Sequence, residues 1–262
     1  MVSDPGGKTF RHSIYPDYKA NRPPCPVDLS PQFPLIEQMA TAYGIPRVSA
    51  PNYEADDVIA TLATLASGRG VHVNVVSSDK DLMQLVTDGD GDASRGSVVM
   101  VDPMRQKRVT TADVVDKWGV MPGLLGDVLA LAGDSADNVP GVRGIGPKTA
   151  ADLVNEYGSL TAALDAAPGI KQNKRRESLI LGRGDAKLSR ELVELVRDVP
   201  AGAIEGMDGR EVQELEMEAL DVGRLVGFYE EMGFRDIRDR VIKMVESARM
   251  RGEISYGDDV PF

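Results

Sequence analysis

Carboxylates stand in three tight groups along this chain. Tyr53-Glu54-Ala55-Asp56-Asp57-Val58 opens a predicted helix, and the spacing of Glu54 and Asp57 puts both on one face of its first turn. Ser78-Asp79-Lys80-Asp81 follows an apolar run ending at Val76, so Asp79 and Asp81 fall beyond a strand's carboxyl end, where open α/β sheets bind ligands. Gly133-Asp134-Ser135-Ala136-Asp137-Asn138 adds a third pair after an apolar helix. Singly, each has a plain structural reading, since helix N-termini favour acids and Asp is common in turns and N-caps. Together, and read as acids without bases to pair with, they raise one another's pKa unless a cation intervenes. An all-oxygen donor set suits Mg²⁺ or Mn²⁺. Two such ions about 4 Å apart are the usual device for displacement at phosphorus, so hydrolysis of a phosphate ester is the expected chemistry.

Composition narrows the alternatives. The only imidazoles are His12 and His72, and the single cysteine, Cys25, excludes an internal disulfide and a cysteine zinc cluster. A chain of 262 residues with 42% hydrophobic residues can bury one large core or two modest ones. Its net charge of −11 argues against a polyanionic partner, unless the acids are those that carry cations. Bases gather at Lys8, Arg11, Lys19 and Arg22 and again at Arg143, Lys148, Lys171, Lys174, Arg175 and Arg176. No apolar run approaches membrane-spanning length, and the first ten residues lack the features of a signal or transit peptide, so no membrane partner is expected.

The elements that must position these groups change character midway. An apolar-periodic helix over Asp56–Ala66, a strand over Val71–Val76, a short helix over Asp81–Val86, a polar loop from Asp88 to Gly96 and a strand over Ser97–Val101 read as alternating α and β with a parallel sheet. From Thr111 strand signals stop. Helices are predicted at Asp113–Trp118, Leu124–Ala132, Lys148–Tyr157, Leu160–Ala166, Arg183–Arg197 and Arg224–Met232, with a polar, acidic tail from Met250.

Two further segments suit nucleic acid. Gly141-Val142-Arg143-Gly144-Ile145-Gly146-Pro147-Lys148-Thr149-Ala150 is not a P-loop, because Pro147 separates the last Gly from Lys148, and it lacks the strand and third glycine of a dinucleotide fingerprint. It reads as a hairpin between helices, with a glycine backbone that permits close approach and a Pro-initiated helix start that offers N–H groups to a phosphate. Lys8 to Pro23 interleaves aromatics with bases, the composition of a single-strand contact or of an ordinary basic loop.

In this order, Asp4…Lys8-Thr9-Phe10-Arg11-His12, Tyr18-Lys19-Ala20-Asn21-Arg22-Pro23, Glu54-Ala55-Asp56-Asp57, Asp79-Lys80-Asp81-Leu82, Gly133 to Asn138 and Gly141 to Gly146 resemble the bacterial 5′-3′ exonuclease family. That family includes the N-terminal nuclease domain of bacterial DNA polymerase I, free-standing flap endonucleases and organellar relatives. The resemblance implies an α/β, PIN-like nuclease domain with a helical arch over residues 1–122. An all-α helix-three-turn-helix (SAM-fold-like) DNA-binding domain is implied over 123–240, then a tail over 241–262. It implies two or more Mg²⁺ or Mn²⁺ ions on Asp4, Glu54, Asp56, Asp57, Asp79, Asp81, Asp134 and Asp137, some through water. Lys19 and Arg22 are the implied catalytic groups, in the arch on the scissile phosphate, with Tyr18 available to stack on a base. Arg11, Tyr18, Lys19, Arg22, Gly144, Gly146, Lys148 and Thr149 are the implied DNA contacts, with K⁺ at the hairpin as in relatives.

The implied activity is 5′-3′ exonuclease or 5′-flap endonuclease, acting in replication and repair on DNA with a flap or 5′ end at a single-strand/duplex junction. The expected protein is a monomer, in the cytoplasm or nucleoid of a bacterium or in a plastid or mitochondrion. Family members open with an apolar strand ending in Asp-Gly, upstream of the position of Asp4, and the sequence reads as lacking it. Two readings follow for the chain: an active nuclease, or a catalytically impaired duplex-DNA-binding fragment. A PIN-type RNase is disfavoured because the hairpin suits duplex DNA. The final Gly257-Asp258-Asp259-Val260-Pro261-Phe262 reads first as a solvated tail, and it also resembles the acidic tip of bacterial single-stranded-DNA-binding proteins, which docks on repair partners.

Overall fold

The computed structural model describes residues 1–89 and 94–251, so the expected docking tip at Gly257–Phe262 lies outside the described residues. The elements run α1 (Phe10–Ile14), α2 (Gln32–Ala42), α3 (Ala55–Ser67), β1 (Val73–Val76), β2 (Val98–Asp102), β3 (Lys107–Val109), α4 (Thr111–Trp118), α5 (Leu125–Ala132), α6 (Pro147–Tyr157), α7 (Leu160–Ala166), α8 (Asn173–Leu181), α9 (Arg183–Val193), α10 (Val222–Glu231) and α11 (Arg235–Met250). A one-turn 3-10 helix over Asp81–Leu85 follows β1. These elements fall into two compact units, one of Asp4–Pro23 with Ala50–Ala203, the other of Met1–Ser3, Pro24–Ser49 and Ile204–Phe262.

In the larger unit β1 and β2 pair in parallel, from Val73↔Val98 to Val76↔Val101. β3 pairs antiparallel with β2 through Met100↔Val109, so the sheet is mixed rather than wholly parallel. Sequence patterning misses β3 because Lys107-Arg108-Val109 is a short, charged, exposed edge strand. The turn that creates it is local: Asp102 Oδ1 accepts the N–H groups of Met104 and Arg105, and Gln106 takes φ +51°.

α5 is apolar on almost every side, as a helix must be when neighbours surround it. Leu125, Val128, Leu129, Ala130 and Leu131 are buried in the same cluster as Leu82 and Met100 of the α/β part and Leu153, Leu179 and Leu192 of the later helices. The sheet and the helical half thus share one core.

α9 stops at Val193 instead of running to Arg197, because the peptide groups that would complete its last turn are used elsewhere. The Leu192 and Glu194 carbonyls accept from Arg11, and Val196 N–H donates to Asp57. In the smaller unit, Ala42 packs with Leu220, Leu225, Tyr229, Val241 and Val245. α2, α8 and α11 are not among the predicted helices, and each buries at most two side chains. Among the described residues no helix is long and apolar enough to cross a membrane.

Candidate active site

Glu54 N-caps α3 in a reciprocal capping box with Asp57, whose Oδ2 accepts Glu54 N–H at 3.0 Å. From that position Glu54 Oε1 accepts from Lys19 Nζ at 2.6 Å and Oε2 from the Tyr18 hydroxyl at 3.2 Å. Asp56 stands one step along the helix. Burial, then Asp79, Asp81 and Glu54, push its carboxyl up to about 7.

β1 delivers the second group. Ser77 Oγ accepts Asp79 N–H, and Asp79 Oδ1 accepts Asp81 N–H at 2.9 Å, which fixes the loop that follows the strand. Burial, with Asp79, Asp134 and Asp137 nearby, raises Asp81 to about 6 against the opposing pull of Lys80. Its Oδ1 is buried without a hydrogen-bond partner.

The third group sits on a loop closed by two backbone hydrogen bonds between Asp134 and Val139, with Asn138 at φ +57°. Segment 17–22 is laced to it: Lys19 N–H donates to the Asp137 carbonyl at 3.0 Å, Asn21 Nδ2 to the Ser135 carbonyl and Asn138 Nδ2 to the Asp17 carbonyl. Arg22 donates to Asp137 Oδ1 at 2.5 Å, and Lys19 Nζ lies 3.8 Å from Asp137 Oδ2. Lys80 binds Asp134 Oδ2 and lies 3.7 Å from Asp81 Oδ1. Burial works against ionisation of Asp134, but Lys80 and the Ala136 N–H outweigh it and hold the carboxyl below its ordinary value.

The fold therefore brings Glu54, Asp56, Asp79, Asp81, Asp134 and Asp137 into one cluster, and it differs from the sequence expectation in its bases. Lys19, Arg22 and Lys80 reach these acids, which local sequence patterning leaves without basic partners. Among the described residues no three side chains form a ready cation cage, since ammonium and guanidinium groups stand between them. The donor set nevertheless fits a hard divalent cation. All its atoms are oxygens, Asp81 Oδ1 is buried without a hydrogen-bond partner, and burial and neighbouring carboxylates raise Asp56 and Asp81 despite Lys19 and Lys80, so both acids would gain from a further positive charge.

Four expected site residues stand elsewhere. Asp57 is fully buried, with Oδ1 taken by Arg11 and Val196 N–H and Oδ2 by Arg11 and Glu54 N–H, which leaves no lone pair for a metal. Arg11 is 2% exposed, bidentate to Asp57 and donating to the Leu192 and Glu194 carbonyls, so it braces α1, α3 and the end of α9 and cannot touch DNA. Tyr18 is 4% exposed, its ring packed in the core and its hydroxyl on Glu54, so it offers no face to a base. Asp4, exposed, accepts Ala55 N–H at 2.7 Å and serves as a cap on α3 beside the cluster. The sequence marks Arg11 and Tyr18 only as parts of a basic-aromatic segment, and burial is what separates them from Lys19 and Arg22.

The glycine hairpin keeps its expected form. Val142 and Ile145 are buried at 2% and 4% while Arg143, Gly144, Gly146, Pro147 and Lys148 are exposed and Thr149 is half-buried. Gly146 N-caps α6 with Pro147 at its first position. A Cβ on Gly146 would meet nothing within 4 Å, so nothing within the chain requires glycine there. Gly144, at φ +84°, needs it for its backbone.

The family model for the 5′-3′ exonuclease N-terminal resolvase-like domain matches residues 1–119, and that for the 5′-3′ exonuclease C-terminal SAM fold matches residues 120–215. The chain is 42% identical over 270 residues to a DNA polymerase I of Rhizobium leguminosarum, covering 99% of this chain and 25% of that one. It is 36% identical over 251 residues to a 5′-3′ exonuclease of Aquifex aeolicus, covering 96% and 80%. A structure of T5 5′-exonuclease with bound zinc ions superposes with a TM-score of 0.63 at 25% identity, covering 75% of this chain and 74% of that one. The chain thus spans about a quarter of the polymerase and most of the exonuclease.

Proposed function

The chain belongs to the 5′-3′ exonuclease family, a resolvase-like domain followed by a SAM fold, and on that premise we propose that it hydrolyses DNA phosphodiester bonds at a 5′ end or 5′ flap, using Mg²⁺ or Mn²⁺. The observation that supports this reading best is the meeting of Glu54, Asp56, Asp79, Asp81, Asp134 and Asp137, from three distant segments, at the carboxyl end of β1.

In this reading Asp56, Asp79 and Asp81 hold the ions with Asp134, Asp137 and Glu54. When bound, divalent ions at such a cluster supply Lewis-acid polarisation of the phosphodiester and a nucleophile at neutral pH. Lys19 and Arg22, at the rim on Glu54 and Asp137, transfer their donors to the oxygens of the scissile phosphate, where charge grows during in-line displacement. Arg22 is half exposed and is the freer of the two to move. Val142 and Ile145 anchor the hairpin so that the N–H groups at the start of α6, with Lys148, meet a duplex phosphate without reordering. Six of the 41 acids stand where cations would bind, and Arg143, Lys148, Lys171, Lys174, Arg175 and Arg176 gather in and after the hairpin, so the net charge of −11 does not bar a local contact with a polyanion.

A duplex with a labelled 5′ flap tests the reading. Release of short 5′ products near the junction with Mg²⁺ and none in EDTA is the expected result. Equal cleavage in EDTA, or preference for an all-RNA substrate, would sink it.

A further inference from the structure

Lys80 has a place in the cluster that the reading above leaves unused. It N-caps the turn over Asp81–Leu85, in a loop already fixed by Ser77 and by the Asp79–Asp81 hydrogen bond. From there its ammonium reaches Asp134 Oδ2, 54 residues away in sequence, and stands 3.7 Å from Asp81 Oδ1. Among the described residues this is the one side-chain hydrogen bond or ion pair that joins the Asp79–Asp81 loop to the Asp134–Asp137 loop. The other oxygen of Asp134 is taken by Ala136 N–H, so Lys80 carries the formal positive charge in direct contact with that carboxylate. Neither partner is a solvent-swept surface group, since the Asp134 and Asp81 side chains are 10% and 21% exposed.

We propose that Lys80 is a positioning residue that acts as a tethered counter-cation: it holds the Asp81 and Asp134 loops together and takes up negative charge that a divalent ion would otherwise neutralise. It thereby sets how many ions the cluster binds and how tightly. This rests on the reading of the cluster as a metal centre. The sign follows from Coulomb's law. Removing one positive charge from among these acids leaves a unit of negative charge for an incoming cation, and at separations of roughly 4–6 Å that is worth a factor of about ten or more in affinity. The same removal leaves Asp81 and Asp134 facing each other uncompensated in the metal-free protein.

Mn²⁺ binding to the full chain, read from the paramagnetic resonance of free ion, and melting in EDTA and in Mn²⁺ test the proposal on Lys80→Met, Lys80→Gln and Lys80→Arg. Both neutral variants should bind one further Mn²⁺, or the same number at least about tenfold more tightly. Both should melt below wild type in EDTA and regain that loss with Mn²⁺, while Lys80→Arg follows wild type throughout. Lys80→Gln keeps a hydrogen-bond donor without the charge, so its agreement with Lys80→Met assigns the effect to charge. Neutral variants with wild-type stoichiometry, affinity and EDTA melting overturn the proposal alone. A wild-type chain that binds no Mn²⁺ overturns the metal reading beneath it.

Discussion

Replacing Asp57 by Asn separates two roles that its sequence position leaves open. In the structure Asp57 neutralises Arg11, a guanidinium 2% exposed, through two hydrogen bonds of 2.7 and 2.8 Å. It also accepts the N–H groups of Glu54 and Val196 at 3.0 Å each. Asn keeps the shape but turns an NH₂ toward Arg11, leaving that buried charge with Glu54 Oε2 at 3.5 Å as its nearest acid. Breaking a buried pair by removing one partner costs about 3–5 kcal/mol, which for a chain of this size is a fall in melting temperature of roughly 6–20 °C. Calorimetry in EDTA is the assay. Were Asp57 a metal ligand instead, the substitution would remove one of several repelling acids, the EDTA melt would hold or rise, and only the added stability from Mg²⁺ would be lost. A variant melting within about 2 °C of wild type in EDTA would refute the structural assignment. The double variant Arg11→Met/Asp57→Leu supplies a check, because an apolar replacement of the whole pair should recover much of the loss and give a coupling of at least about 2 kcal/mol in a double-mutant cycle.

Lys19→Ala should lower the single-turnover cleavage rate by about a hundredfold or more while changing duplex affinity less than about threefold, since its contact is to the reacting phosphate; equal losses in both would make it a surface patch. Gly146→Ala should leave melting unchanged, its Cβ meeting open space, yet weaken duplex binding in a filter or fluorescence assay, whereas Gly144→Ala should also destabilise the fold by about 1–2 kcal/mol for its positive φ. Identical melting losses for the two would contradict the hairpin geometry. Asp56→Asn should abolish Mg²⁺-dependent cleavage and raise metal-free stability at alkaline pH, because an acid raised to about 7 by burial, by Asp79, Asp81 and Glu54, and despite Lys19, destabilises the fold when ionised. The native state then binds more protons than the unfolded chain, so wild type gains stability as pH falls through about 7. The melting difference between variant and wild type should shrink from about pH 8 to about pH 5, and a difference constant with pH would count against a buried, crowded Asp56.

Much of this protein is legible in its residues taken in order. The acids of 54–57, 79–81 and 134–137 lie at element ends that local signals mark, namely a helix start, the end of a β-branched run and a glycine-bounded turn, and the hairpin declares itself through Gly144, Gly146 and Pro147. These are short-range properties, fixed by backbone freedom and hydrophobic period, and a linear sequence displays them. Burial and pairing across the chain are not displayed. Asp56 and Asp57 are adjacent and chemically alike, yet one is crowded by acids 23 and 25 residues away, Asp79 and Asp81, and the other is consumed by Arg11, 46 residues away. Tyr18 and Lys19 are adjacent as well, and the packing of one ring into the core sends the hydroxyl to Glu54 and leaves the ammonium at the rim. Which carboxylate is left for a cation, and which base stands guard over it, was settled by long-range contacts, because desolvation and Coulomb energies depend on neighbours that only the closed chain supplies.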